Sequence, residues 1–455
     1  MKISVKNLGT IQEGEISLDK DLTIFMGENN SGKSYMMYLN YGVLDILFSK
    51  NKAFIEILGK LLELPIYSTE LSNGIKINLK NILSKHFEMR FESIRKSNID
   101  EFYQVIFQHK ISRLEFDISN VENIFLSTSY EYLKKLEGFK LEIFSKNYTI
   151  NVDNEFITIF TEDEYNLEDI SKSLARLIIE SIDSQKRYFV PAERTAINMF
   201  YSDIMKQKAS ESEDLIVINN TDEIKNKLED LRREGKMLPY APLALMSYIK
   251  FAYDFRKHIS GTLTEFADLA TELEYLLGGG VGVSAFGDLQ FQPTEQENQI
   301  PLYLASSLVK SWSGIVIYLR HLAQRGDILM IDEPEINLHP KTQILIARFL
   351  AKMINRGIRI IVSTHSDYIL RELSTLIILN RDFEGKEKLM QRYDYQDNNT
   401  LAGDKVAVYS FGNHTITNIP ITNKGIETDS IDEVISRQNE ISDMVYYGYL
   451  DTLPE

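Results

Sequence analysis

The sequence predicts an α/β protein in which a mostly parallel sheet is flanked by helices, with an antiparallel β lobe and helical insertions. Three observations predict it. Near the N terminus an apolar strand runs into a glycine loop and then a helix. After Leu304 strand and helix patterns alternate. Two strands of that alternation end in clustered polar residues, as expected where ligands sit at the carboxyl edge of a parallel sheet.

The elements follow in order. Ile3 and Val5 alternate with polar neighbours, Ile16 and Leu18 do the same, and Leu22 to Met26 form an apolar run, so residues 1–26 read as strands. The run stops at Gly27, and the stretch YMMYLNYGVLDILF after Ser34 reads as a helix. Residues 51–137 have a mainly helical pattern. Between 138 and 160 the short runs FKLEIF, YTINV and FITIF are β-like and are separated by turn-forming SKN and DNE. Leu174, Leu177, Ile178 and Ile182 mark a helix face leading into a strand from Arg187 to Val190. The next stretch is helical again; Ile224, Leu228 and Leu231 keep a heptad-like spacing too briefly for a long coiled coil, and GGG at 278–280 breaks the region. DILMID, TQILIARFLAKMI, IRIIVST and YILREL then alternate as strand, helix, strand and helix. The expected division is a discontinuous head of residues 1–50, 138–200 and 285–455, a mainly helical insertion at 51–137, and a helical lid or partner-docking insertion at 201–284.

Composition narrows the function. The 455 residues, 44% of them hydrophobic, can bury one large core or two ordinary ones. There is no cysteine, which excludes disulfides, zinc-thiolate sites and thiol chemistry and fits a cytoplasmic location. No apolar run is long enough to span a membrane. The formal charge of −16 opposes broad contact with duplex DNA, since a protein tracking DNA needs a basic face to displace counterions. DNA binding is therefore expected to be weak or absent.

Three motifs carry chemistry. Gly27-Glu28-Asn29-Asn30-Ser31-Gly32-Lys33-Ser34 fits G-x4-G-K-[ST], a loop whose curled backbone turns consecutive N–H groups onto a phosphate. Lys33 adds a positive charge for the β and γ phosphates, the Ser34 hydroxyl is a ligand for Mg²⁺, and the following helix offers its positive end. The apolar strand Ile328 to Ile331 delivers Asp332 and Glu333, one placed to hold Mg²⁺ and the other to orient and deprotonate an attacking water. The strand Ile360 to Val362 ends in Ser363-Thr364-His365-Ser366. One helix separates it from the carboxylate strand, so a right-handed crossover sets the two close together. His365 is then expected near Glu333, within reach of the γ-phosphate or the water.

In this order, the phrases MGENNSGKS, LMIDEPEINLHP and IVSTHSDYIL resemble the P-loop ABC-type ATPase heads of the RecF, SMC and OLD group. The resemblance implies an ATPase using ATP and Mg²⁺, with Gly27, Asn29 to Ser34 and Tyr35 binding nucleotide, Ser34 and Asp332 holding the metal, and Glu333 and His365 catalytic. It implies that two heads pair, with ATP between the loop of one and a signature segment of the other. That segment resembles Leu304-Ala305-Ser306-Ser307-Leu308-Val309-Lys310 without the usual glycine, so Ser306 and Ser307 either touch ATP or simply start a helix. Tyr188 to Arg194 stands at the Q-loop position with no glutamine, leaving Glu193 or Arg194 in its place. No Asp-x-Asp follows Phe383-Glu384-Gly385, so no TOPRIM nuclease is expected within this chain. Compact heads of this kind resemble the ATPase subunits of the antiphage systems PARIS and Septu, PARIS the more closely. That implies a sensor that assembles with itself, answers a phage-encoded trigger and controls a separate effector such as a TOPRIM nuclease. The alternative is a DNA repair or recombination clamp resembling RecF and SMC.

Overall fold

A computed structural model describes residues 1–48, 75–97, 114–120, 132–137, 141–143, 146–153, 156–160, 185–199, 243–258, 263–284, 289–427 and 429–450, with isolated positions between 106 and 178. Leu174, Leu177, Ile182, Ile224, Leu228, Leu231 and the first part of the 201–284 segment lie outside the described residues.

The N-terminal half supplies strands β1 (Lys2–Leu8), β2 (Ile11–Ser17) and β3 (Leu22–Gly27), helix α1 (Lys33–Phe48), strand β4 (Ile75–Asn78), helix α2 (Leu79–Ser97), and strands β5 (Glu115–Ser119), β6 (Leu141–Ile143), β7 (Lys146–Asp153), β8 (Phe156–Phe160) and β9 (Arg187–Val190). Helices α3 (Leu243–His258) and α4 (Ala267–Leu277) precede a small sheet of β10 (Gly279–Val283), β11 (Leu289–Pro293) and β12 (Ile300–Pro301). Then come α5 (Ser307–His321), β13 (Ile328–Asp332), α6 (Pro340–Asn355), β14 (Arg359–Thr364), α7 (Asp367–Leu379), α8 (Lys386–Arg392), β15 (Val406–Gly412), β16 (Thr415–Ile419) and, after a short β-hairpin, α9 (Asp429–Leu450).

Nine strands form the main sheet in the order β5-β1-β2-β16-β15-β3-β14-β13-β9. From β15 to β9 neighbouring strands are parallel. The other end is a largely antiparallel lobe built from β5, β1, β2 and β16. The expected class, a mostly parallel sheet with an antiparallel lobe, is the one observed. Two details differ from the sequence reading. Strand β5 comes from the segment read as mainly helical and pairs with β1. The strands between 141 and 160 join β4 in a separate sheet, in the order β4-β8-β7-β6.

Side-chain alternation explains the layering. On β3, Leu22, Ile24 and Met26 enter one buried cluster and Phe25 the other. On β13, Leu329 and Ile331 pack with Trp312, Leu350 and Leu373 of α5, α6 and α7, whereas Ile328 and Met330 share a cluster with Met36 and Met37 of α1. Trp312, the only tryptophan, is fully buried in the first of these clusters, so its emission reports the packing of that layer. Among the described residues no helix is long and apolar enough to cross a membrane.

Candidate functional site

Four parallel strands end level with one another. Asp332 lies opposite Ser363, Ser363 opposite Phe25, Thr364 opposite Met26, and Ile331 opposite Val190. The carboxyl ends of β3, β14, β13 and β9 thus form one edge, although the residues there are about 300 positions apart in sequence.

The loop after β3 fits its backbone demands. Gly27 has φ of 147°, and a Cβ there would stand 2.3 Å from the Phe411 carbonyl oxygen of β15. Gly32 has φ of 100°, with Ile11 of β2 only 2.7 Å from where its Cβ would be. Glu28, Asn29 and Asn30 are exposed, and Asn30 is left-handed at φ 62°. The Lys33 ammonium is buried and turned back on this loop, donating to the carbonyls of Gly27 at 2.8 Å and Glu28 at 2.7 Å, with Ser31 Oγ at 3.4 Å. Burial lowers the Lys33 amine, while the Glu333, Asp332 and Glu335 carboxylates pull it back up. Tyr35 is exposed beside Gly9 of the β1–β2 turn.

The carboxylate strand meets the loop directly. The Ser34 hydroxyl is 3.5 Å from Asp332 Oδ1, and the same oxygen accepts from Ser363 Oγ. Asp332 is almost fully buried and burial pushes it up to about 6, countered by the Ser363 and Ser34 hydroxyls. A buried carboxylate beside a hydroxyl, with no cation against it among the described ion pairs, fits a hard divalent ion with oxygen ligands. Among the described residues no group of three or more acidic, His or Cys side chains could hold a metal alone. Mg²⁺ in nucleotide sites commonly takes one or two carboxylates and fills the rest with water and phosphate.

Glu333 is the residue where the chain turns. Its φ is 49°, a left-handed value unusual for a non-glycine residue. Its N–H donates to the Ser363 carbonyl at 3.1 Å and lies 3.2 Å from Ser363 Oγ. Arg194 holds the other side. Its guanidinium is fully buried and donates to the carbonyls of Pro191 at 3.0 Å, Asp332 at 2.8 Å and Glu333 at 2.8 Å. Arg194 is therefore committed to backbone carbonyls. Glu193, the other residue the sequence offered there, is exposed, its charge felt by both Asp332 and Tyr38.

Sequence reasoning passed over Glu335. Its carboxylate is buried, and Oε1 accepts from Thr364 Oγ1 and from the His365 N–H, each at 2.8 Å. His365 Nδ1 is 3.3 Å from the same oxygen, and the second oxygen, Oε2, is buried without a hydrogen-bond partner among the described residues. The structure seats His365 on Glu335, a partner the sequence reading did not name. The signal was present as the second acid of EPEINLHP. His365 itself is exposed at the strand end.

Ser306 and Ser307 are exposed at the head of α5, and among the described residues neither is hydrogen-bonded to the phosphate loop. Ser306 caps the helix, accepting from the Val309 N–H at 3.3 Å, so the helix-start reading describes its contact within one chain. Tyr303 and Leu304 stand exposed just before it.

Arg194 gives a direct test of how the edge is held. Arg194→Met leaves two or three buried carbonyls without a donor and should cost about 3 kcal/mol of stability. Urea unfolding followed by Trp312 emission measures it. Turnover per folded molecule should fall roughly tenfold to a hundredfold, as expected when a catalytic acid is misplaced. Unchanged turnover per folded molecule would show that the clamp does not position Glu333.

A family model described as an AAA ATPase domain matches residues 1–370. No curated protein matches the sequence. Among solved structures the chain is similar to the Smc head domain of Pyrococcus furiosus, with an extended coiled coil and bound to the C-terminal domain of ScpA, at 13% identity and TM-score 0.33 over 97% of this chain and 98% of that one. It is similar to an SmcHead bound to the C-winged helix domain of ScpA, at 12% identity and TM-score 0.32, covering 92% of this chain and 96% of that one. The SMC head domain from Thermotoga maritima matches at 11% identity and TM-score 0.29, covering 92% and 98%.

Proposed function

Since the chain belongs to the AAA ATPase domain family, we propose that it is an ATP-hydrolysing switch that pairs with a second copy of itself and controls a separate effector protein in antiphage defence. The observation that supports the ATPase half is the meeting of Ser34 and Asp332 at 3.5 Å, on the sheet edge that also carries Lys33 and Glu333. The effector, a nuclease such as a TOPRIM protein, and the phage-encoded trigger rest on the resemblance of the three motifs to PARIS-type subunits. The negative charge suits a protein partner better than a DNA track.

In this reading the loop from Gly27 to Ser34 and the start of α1 cradle the phosphates, with Asn29, Asn30 and Ser31 offering their backbone N–H groups. Lys33 leaves the Gly27 and Glu28 carbonyls for phosphate oxygens. Ser34 and Asp332 would hold Mg²⁺, which neutralises charge developing on those oxygens. Glu333, turned out of its strand by the left-handed backbone, takes the proton of the attacking water. His365 contacts the γ-phosphate or that water. Ser306 and Ser307 reach the nucleotide bound by the partner copy, and Tyr35 flanks the loop.

Glu335 acts through His365 as a positioning residue. Glu335→Ala and His365→Ala should each slow turnover roughly tenfold to a hundredfold. The double variant should be no slower than the worse single, since two residues acting through one contact are not additive. Independent, multiplying losses would separate Glu335 from His365.

The switch reading is tested by sedimentation of Glu333→Gln with ATP. A nucleotide-dependent dimer is expected, and Ser306→Arg should abolish the dimer while ATP binding persists. A protein that stays monomeric with ATP bound would overturn the pairing. Tight duplex-DNA binding that falls steeply with salt would replace the effector reading with the RecF-like clamp.

A further inference from the structure

Helix α9 carries large apolar side chains that are exposed among the described residues. Every residue from 437 to 447 is exposed, so three turns of helix have no buried face. Ile441, Met444 and Val445 stand at helical spacing on one side and are 46%, 66% and 68% exposed. Tyr446 and Tyr447 lie further round the helix and are also exposed, with their rings 5.5 Å apart. Glu440 lies one turn before Met444, on the rim of the apolar side, and Asp443 lies across the helix, one turn before Tyr447. Burying a side chain of this size stabilises by about 1.5–3 kcal/mol, and an apolar patch of this kind marks an interaction surface.

Charge decides the occupant. From Asp429 to Leu450 the helix has five carboxylates against Arg437 alone, on a chain of net charge −16. A second copy of α9 would bring the same acids against the same edge, and like charges facing one another across an interface cost several kcal/mol. An anionic membrane surface repels the helix for the same reason. The favourable complement is an apolar seam lined by Lys or Arg on a different protein. We infer that α9 is the docking helix for such a basic-rimmed partner surface, with Ile441, Met444 and Val445 as anchors in the helix-in-groove manner. This deepens the effector half of the proposed function, yet needs no ATP turnover, so it can fail separately from the ATPase reading.

The test uses the full chain and a synthetic fluorescent helical peptide with leucine at a and d positions and lysine at e and g. Two control peptides carry glutamate at e and g, or the same residues as the lysine peptide in scrambled order. Anisotropy titrations should show the lysine peptide binding at least about tenfold more tightly than either control. Met444→Ser with Val445→Ser should reduce that binding about tenfold, and Glu440→Lys with Asp443→Lys should reverse the preference toward the glutamate peptide. Both variants should keep wild-type Trp312 emission, because that residue lies in the head core. Lys33→Ala should bind the peptide as wild type does, which separates docking from nucleotide chemistry. Failure of the lysine peptide to bind, equal binding of the scrambled peptide, or binding untouched by the serine variant overturns the inference. So does a concentration-dependent dimer dissolved by the serine variant, or equal binding to phosphatidylserine vesicles.

Discussion

Lys33→Ala is expected to lose ATP binding and turnover together. The ammonium is buried and held among the Gly27 and Glu28 carbonyls, and four carboxylates act on it. Removing one partner of a buried, hydrogen-bonded charge pair costs about 2–5 kcal/mol, which is roughly 30- to 4,000-fold in affinity. Calorimetric titration with a slow ATP analogue and Mg²⁺ reads this directly. Trp312 emission keeps the comparison fair, since a folded variant retains the wild-type spectrum. Unchanged affinity in a folded variant would remove the loop from the nucleotide site.

Glu333→Gln is expected to slow hydrolysis roughly a hundredfold to ten-thousandfold, the range for losing a general base, while ATP still binds. The backbone around the residue is pinned by Ser363 on one side and Arg194 on the other. The substitution therefore changes the side-chain chemistry with little change in shape. The amide cannot take a proton from water, and bound ATP should accumulate. Single-turnover kinetics separate the chemical step from product release. Turnover near the wild-type rate would exclude Glu333 as the base and turn attention to His365.

The sheet edge was legible because its strands announce themselves in sequence. Apolar runs at 22–26, 328–331 and 360–362 each end in residues with distinctive chemistry, and β9 begins and ends at the expected residues. What stayed hidden depends on which strands are neighbours. Arg194 read as one of two candidates for the Q-loop place, beside Glu193, because nothing local says that β9 lies against β13 and that the guanidinium meets the carbonyls of residues 332 and 333. Strand β15 carries no motif, yet it lies against β3 and sets the Phe411 carbonyl against Gly27. Glu335 looked like a loop acid beside a recognised pair. Only the parallel pairing of β13 with β14 brings it beneath His365. Ser306 was ambiguous because one hydroxyl can cap a helix or meet a phosphate, and a single chain displays the first.

The position of β3 has a consequence for how the protein is made. Its two neighbours in the sheet are β14 and β15, both synthesised more than 300 residues after it. A growing chain on the ribosome carries the phosphate loop before its partners, but its strand waits with both edges open and four apolar residues uncovered. Asp332, Ser363 and the Phe411 wall under Gly27 arrive only some 300 residues or more after the loop. Nucleotide therefore selects chains extended past Phe411, and shorter chains that keep the loop should neither be stabilised by ATP nor compete for it. Such fragments present an unpaired apolar strand, which makes them natural clients for chaperones and proteases.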